Sequence, residues 1–145
     1  MSALYVLDTD HLSLLQRGHA RVVARVAAIP VTQRAVTIVS ADEQLQGRLA
    51  VIRRAKTQTD AAREYERLRE TIQFFAHVRI LSYTTGAASE FEALRRQGLR
   101  IGTQDLRIAA ICLTQQATLA TRNQRDFGLV PGLATEDWSL PDFTA

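Results

Sequence analysis

The sequence predicts an α/β fold with a mainly parallel central sheet flanked by helices. Two observations carry this. Four short apolar, partly β-branched runs alternate with amphipathic stretches of about three turns, the pattern of strand–helix–strand units. The runs are also continuously apolar, as strands covered on both faces are. There is no internal repeat, low-complexity tract or linker, so one domain spanning residues 1–145 is expected.

The elements follow in order. Ala3 to Leu7 reads as a buried central strand stopped by Asp8. Thr9 to Gln16 has helical spacing through Leu12 and Leu15, and Val22, Val23, Val26 and Ala27 continue it towards Pro30. Ala35 to Val39 is the second strand, and Ala41 to Ile52 is helical through Leu45, Leu49 and Ile52. Arg53 to Phe75 is a long charged segment with a break at Thr57 to Asp60 and a stripe of Tyr65, Leu68, Ile72 and Phe75. His77 to Leu81 is a third strand. Thr85 to Gln97 is a helix closed by Gly98, and Asp105 to Gln115 is another, with Thr103 as a candidate cap. Ala117 to Thr121 is the fourth strand. From Phe127 onward the chain reads as loop, anchored by Leu129, Val130 and Trp138.

Composition narrows the classes of function. Hydrophobic residues make up 46% of the 145, which excludes a disordered chain. No apolar run approaches the roughly 20 residues that span a bilayer, and Met1 to Val6 lacks the pattern of a signal peptide. Cys112 is the only cysteine, which rules out an internal disulfide or a multi-cysteine zinc site and points to a reducing compartment. A soluble cytoplasmic protein is expected. Of the 18 Lys+Arg residues only Lys56 is lysine, and the net charge is +3. Guanidinium forks match phosphate oxygens, although an arginine-rich codon bias gives the same composition. Arg17, Arg48, Arg53, Arg54 and Arg125 are candidate backbone contacts or plain solvated surface.

The acids are the informative residues. Asp8 ends the first strand, Glu43 falls in the first turn of the helix after the second, Asp105 opens a helix, and Asp126 closely follows the fourth strand. Ligand sites of open parallel sheets lie beyond the carboxyl ends of the strands, so the four carboxylates are expected to converge there. Taken singly, each has a plainer role: Asp8 or Asp10 as a helix cap, Asp42 and Glu43 as complements to a helix dipole, Asp126 as a turn residue. Together they would repel one another and rise in pKa unless a divalent cation joined them. Oxygen ligands suit Mg²⁺ or Mn²⁺, and such an ion can activate water against a phosphodiester.

Four motifs and a closing segment carry a resemblance. Leu7-Asp-Thr-Asp-His-Leu-Ser13 resembles the opening motif of PIN-domain ribonucleases. Ile38-Val-Ser-Ala-Asp-Glu-Gln-Leu-Gln-Gly47 is similar to the second motif, Ile101-Gly-Thr-Gln-Asp-Leu-Arg-Ile-Ala-Ala110 to the third, and Thr121-Arg-Asn-Gln-Arg-Asp-Phe127 to the fourth. Gly132 to Trp138 resembles the tails of VapC-like members. The resemblance implies a three-layer PIN-like fold and a metal-dependent endoribonuclease, the toxin of a toxin–antitoxin pair. It implies Asp8, Glu43, Asp105 and Asp126 as catalytic acids, Asp8 and Asp105 as direct ligands of Mg²⁺ or Mn²⁺, and Thr9, Ser40 and Asn123 as supporting residues. Family members place the fourth acid where either Asn123 or Asp126 stands; Asp126 is favoured because it carries charge. An RNA substrate, an antitoxin partner and a homodimer are implied as well, with the Tyr65 stripe as a possible interface. Asp10 stands where asparagine is common and Gln44 where leucine is common.

Three other functions compete. Asp8-Thr-Asp10 is also a DxD pair like that of haloacid-dehalogenase-type phosphatases, but Leu12 and Lys56 sit wrongly for one. A PIN-like fold can be an RNA-binding or interaction module without catalysis, which usually goes with lost acids. A DNA-directed nuclease would use the same acids.

Overall fold

The computed structural model describes residues 3–141. Five strands form one sheet: β1 (Tyr5–Leu7), β2 (Arg34–Thr37), β3 (Ile80–Leu81), β4 (Thr118–Ala120) and β5 (Ala134–Glu136). Their order is β3-β2-β1-β4-β5 and every pairing is parallel. Seven α-helices connect them: α1 (Thr9–Gln16), α2 (Ala20–Ala28), α3 (Ile38–Arg53), α4 (Gln58–Ala76), α5 (Thr85–Arg96), α6 (Thr103–Thr114) and α7 (Gln124–Phe127).

Strand periodicity explains the three layers. Successive side chains point to opposite faces, so Val6, Ala35 and Leu119 join one core with α5 and α6. Their neighbours Leu7, Val36 and Ala120 join the other, which contains Leu12 of α1, Val22 of α2, Phe75 of α4 and Trp138. The strands are apolar at both positions because both faces are covered.

Several boundaries differ from expectation. Ile38 and Val39 belong to α3, since the chain turns helical directly after Thr37, whose side chain caps Ser40 N. β-branching at these two positions marked a strand, but a capped helix start overrode it. Glu43 is therefore the sixth residue of α3 and sits in its second turn. Thr103 is the first residue of α6 and does not cap it; the N-cap is Gly102. The tail from Phe127 onward holds a strand as well as loops: β5 lies in it and pairs with β4 in register Leu119↔Thr135, and the short α7 ends where it begins. The break at Thr57 is real, with Thr57 capping Asp60 N at 3.1 Å. Gly98 follows α5 at φ 76°, the left-handed conformation that closes a helix. The stripe on α4 is split: Phe75 is buried, whereas Tyr65 and Ile72 are exposed.

Candidate active site

The chain leaves β1 to cross to β2 on one side, and β4 later docks on the other. The carboxyl ends of β1 and β4 therefore form the point where strand order reverses, the usual binding crevice of such sheets. Asp8 stands at the first end and the Thr121 to Asp126 segment at the second. Asp8 N donates to Ala120 O at 3.0 Å, which ties the two ends together.

Asp8 is buried and also caps α1, its Oδ1 accepting from His11 N at 2.7 Å. The cap and the cluster role thus coexist in one carboxylate. Burial raises its pKa from 3.8 to about 6, with Asp10 and Asp105 adding repulsion; hydrogen bonds from Thr121 and the His11 backbone oppose the rise. Asp105, third residue of α6, is half-buried, and its pKa is raised by burial and then by the charges of Glu43 and Asp126. The four acids picked from the sequence are therefore within electrostatic reach of one another as a chain: Asp8 with Asp105, and Asp105 with Glu43 and Asp126.

Each outer acid is held by a neighbour. Thr9 Oγ1 donates to Glu43 Oε1 at 2.7 Å and lies 2.9 Å from Ser40 Oγ. A hydroxyl has one proton, so Ser40 donates to Thr9 and Thr9 to Glu43, a two-step relay ending on the carboxylate. Asn123 caps Asp126 N at 3.2 Å and donates from Nδ2 to Asp126 Oδ2 at 3.1 Å. Thr121, buried, accepts from Asn123 N at 2.9 Å while its hydroxyl serves Asp8.

Among the described residues, the group of potential ligand atoms lying within 4.8 Å of one another is Asp8, Asp10 and His11. Two of the three are committed elsewhere. Arg122 holds Asp10 through two bonds of 2.7 Å, and this bond, ahead of any other influence, keeps the Asp10 carboxyl below its ordinary range. His11 Nε2 accepts from Trp138 N at 3.1 Å, which leaves the ring proton on Nδ1 and no lone pair there for a metal. The donor set that remains is carboxylate oxygen throughout, which suits a hard divalent cation. Such ions keep several waters and need only one or two carboxylates; among the described residues no three of Asp8, Glu43, Asp105 and Asp126 bring ligand atoms within 4.8 Å of one another, so a cation here would rest on one or two of them and on water. Cys112 takes no part: it is buried in the core, and burial pushes its thiol up to about 12.

Sequence reading missed Thr121, Arg122 and His11. All three lie inside the quoted motifs, but only the fold shows that Thr121 faces Asp8, that Arg122 neutralises Asp10, and that His11 reaches the tail.

No family model matches the sequence. A 70-residue stretch is 36% identical to the tRNA(fMet)-specific endonuclease VapC of Shigella flexneri, covering 46% of this chain and 53% of that protein. The chain thus matches about half the length of the curated relatives. Solved structures match almost throughout. DNA-bound VapBC from Salmonella typhimurium superposes with a TM-score of 0.75 at 21% identity, over 94% of this chain and 98% of that one. A toxin–antitoxin complex from Klebsiella pneumoniae gives 0.67 at 25% identity, over 92% and 97%. The architecture is that of PIN-type domains. Within that class the chain resembles the VapC toxins.

Proposed function

We propose that residues 1–145 form one PIN-like nuclease domain that hydrolyses RNA phosphodiester bonds with Mg²⁺ or Mn²⁺, as the toxin of a toxin–antitoxin pair. The observation that supports this is the electrostatic grouping of the acids: Asp8, at the end of β1, is raised in pKa by burial with Asp105 adding repulsion, and Asp105 is raised by burial and by Glu43 and Asp126. The likeness to the Shigella flexneri endonuclease and to toxin–antitoxin complexes supports it.

Asp8 and Asp105 are the residues that would hold the ion. When bound, it supplies charge neutralisation and an acidified water at neutral pH. The remaining groups position: Thr9, backed by Ser40, fixes the Glu43 carboxylate, and Asn123 fixes Asp126 as the fourth acid. The phosphatase alternative is disfavoured because the second acid of its DxD pair, Asp10, is engaged by Arg122. An antitoxin partner and a homodimer belong to this reading, with exposed Tyr65 and Ile72 on α4 as candidate contacts. No helix of the described residues is long and apolar enough to cross a membrane. The lone buried thiol of Cys112 agrees with a cytoplasmic setting.

The test is cleavage of a total RNA pool by the purified protein in Mg²⁺, Mn²⁺ or EDTA, beside Asp8→Asn. Cuts that need metal and vanish in the variant are expected, and mapping their ends names the substrate. Absence of metal-dependent cuts, once a co-purified inhibitor has been removed by denaturation and refolding, would leave a catalytically silent RNA-binding or interaction module.

A further inference from the structure

Beside the acids, α1 and α3 enclose a groove of about 350 Å³ whose wall is Ser13, Gln16, Arg17, Gln44, Gly47 and Arg48. We propose that this groove is a nucleotide subsite, which binds one nucleotide of single-stranded RNA flanking the scissile phosphate. The proposal rests on the nuclease reading above and adds a place for the substrate.

Four features carry it. The first is composition: Ser13, Gln16, Arg17, Gln44 and Arg48 bring hydroxyl, amide and guanidinium heads, the longer ones on aliphatic stems, to the wall.

The second is position. Thr9, Ser13 and Gln16 follow one face of α1, with Arg17 at its C-cap, while Glu43, Gln44, Gly47 and Arg48 follow one face of α3. At the helical rise, Arg17 lies about 12 Å along α1 from Thr9, a nucleotide or two from the acids. The hydrogen bonds are continuous along the way. Ser13 Oγ donates to Thr9 O at 3.1 Å, and Gln44 Nε2 reaches Ser13 Oγ at 3.4 Å.

The third is the pair of amides. Gln16 Nε2 donates to Gln44 Oε1 at 2.9 Å and Gln44 Nε2 returns a bond to Gln16 Oε1 at 2.8 Å. This closed pair fixes both side chains, yet Gln16 keeps a second N–H and both oxygens keep a lone pair. Adjacent donors and acceptors in one rigid unit are what a base edge pairs with. Flanking them, Arg17 is exposed and Arg48 is anchored through Nε to Thr71 Oγ1 at 3.3 Å, which keeps its terminal NH₂ groups to offer. Two guanidiniums beside an acidic centre suit a polyanion whose scissile phosphate sits on metal while its neighbours sit on arginine.

The fourth is Gly47. It lies inside α3, where glycine weakens a helix, and a Cβ built there meets nothing within 4 Å. Packing does not require glycine here. An open groove floor, over which a ligand approaches the backbone closely, does.

The test is fluorescence anisotropy with a short fluorescein-labelled single-stranded RNA of mixed sequence, in EDTA so that cleavage is off. Wild type is compared with Gly47→Leu, with Arg17→Ala and with Arg48→Ala. Gly47→Leu is expected to melt at or above the wild-type temperature and to bind the RNA about tenfold more weakly. Each arginine variant should weaken binding and flatten its salt dependence by about one phosphate. Mn²⁺ binding by all three should match wild type, since the acids are untouched. Wild-type RNA affinity in Gly47→Leu and in the arginine variants overturns the subsite. So does unchanged RNA affinity with lost binding of a glutamate-rich peptide, which would give the groove to a protein partner. Metal-dependent cleavage failing in wild type while these affinity losses appear would sink the nuclease reading alone.

Discussion

The backbone N–H of Trp138 donates to His11 Nε2 at 3.1 Å, joining the start of α1 to the end of the described tail. His11 is fully buried, and burial lowers its pKa, so the ring is neutral. With Nε2 accepting, the proton sits on Nδ1, which has no hydrogen-bond partner among the described residues and lies 3.7 Å from Asp8 Oδ1. One ring thus holds the tail and turns its N–H towards the first acid.

His11→Ala should therefore cost more than a surface change. It leaves a cavity beneath Asp8 and orphans the Trp138 N–H, together about 3 kcal/mol. His11→Gln offers an acceptor near the Nε2 position and should recover roughly half. Urea unfolding followed by fluorescence of the sole tryptophan, Trp138, measures both. Equal stability of the alanine variant and wild type would show that the tail docks without His11.

Asp8 should make the metal-free protein less stable as pH rises. Its pKa is about 6 when folded against 3.8 for the free side chain. The unfolded chain then gives up this proton first, so the contribution is full below 3.8 and is lost as pH climbs to about 6. About 2–3 kcal/mol should disappear across that window. In EDTA, Asp8→Asn should remove the slope and exceed wild type at neutral pH. Denaturant titrations at steps of pH decide it, and a wild-type curve parallel to that of the variant would mean Asp8 ionises freely.

The same residue shows what the sequence made legible and what it hid. The parallel sheet was readable because strand runs buried on both faces are continuously apolar, and Asp8 stood out because it directly follows such a run. β5 was not readable: Ala134 to Glu136 is half-exposed at the sheet edge and has no apolar run to mark it. The start of α3 was misplaced because Ile38 and Val39 favour strands, and their β-branching outweighed the local N-cap that Thr37 offers to Ser40 N. Likewise the sequence left the role of Asp10 open. Only the pairing with Arg122, 112 residues away, removes it from the set. That pair is half-exposed, so Asp10→Asn should change stability by no more than about 1 kcal/mol and leave metal-dependent cleavage in place.

Metal should reverse the destabilisation at Asp8. A cation that binds only the folded state adds RT ln(1 + [L]/Kd), about 2.7 kcal/mol at a hundredfold excess over Kd. At neutral pH, Mn²⁺ should raise the melting temperature of wild type and leave Asp8→Asn and Asp105→Asn nearly unchanged. A shift of equal size in all three would place the ion elsewhere.

The relay from Ser40 through Thr9 to Glu43 makes the last prediction. Valine matches threonine in shape but neither donates nor accepts, so Thr9→Val leaves Glu43 without its 2.7 Å donor and Ser40 without its acceptor. Stability should fall by about 1 kcal/mol, because the site is only half-buried and water can replace part of what is lost. Cleavage should fall further, about 10- to 100-fold, as happens when groups that orient metal-site carboxylates are removed. Ser40→Ala cuts the relay one step earlier and keeps the Thr9 bond to Glu43, so its loss of rate should be smaller. Single-turnover cleavage at saturating Mn²⁺ separates the two. If Thr9→Val cuts at the wild-type rate, Glu43 owes its orientation to something other than Thr9, and the relay is a packing feature of the α1–α3 contact.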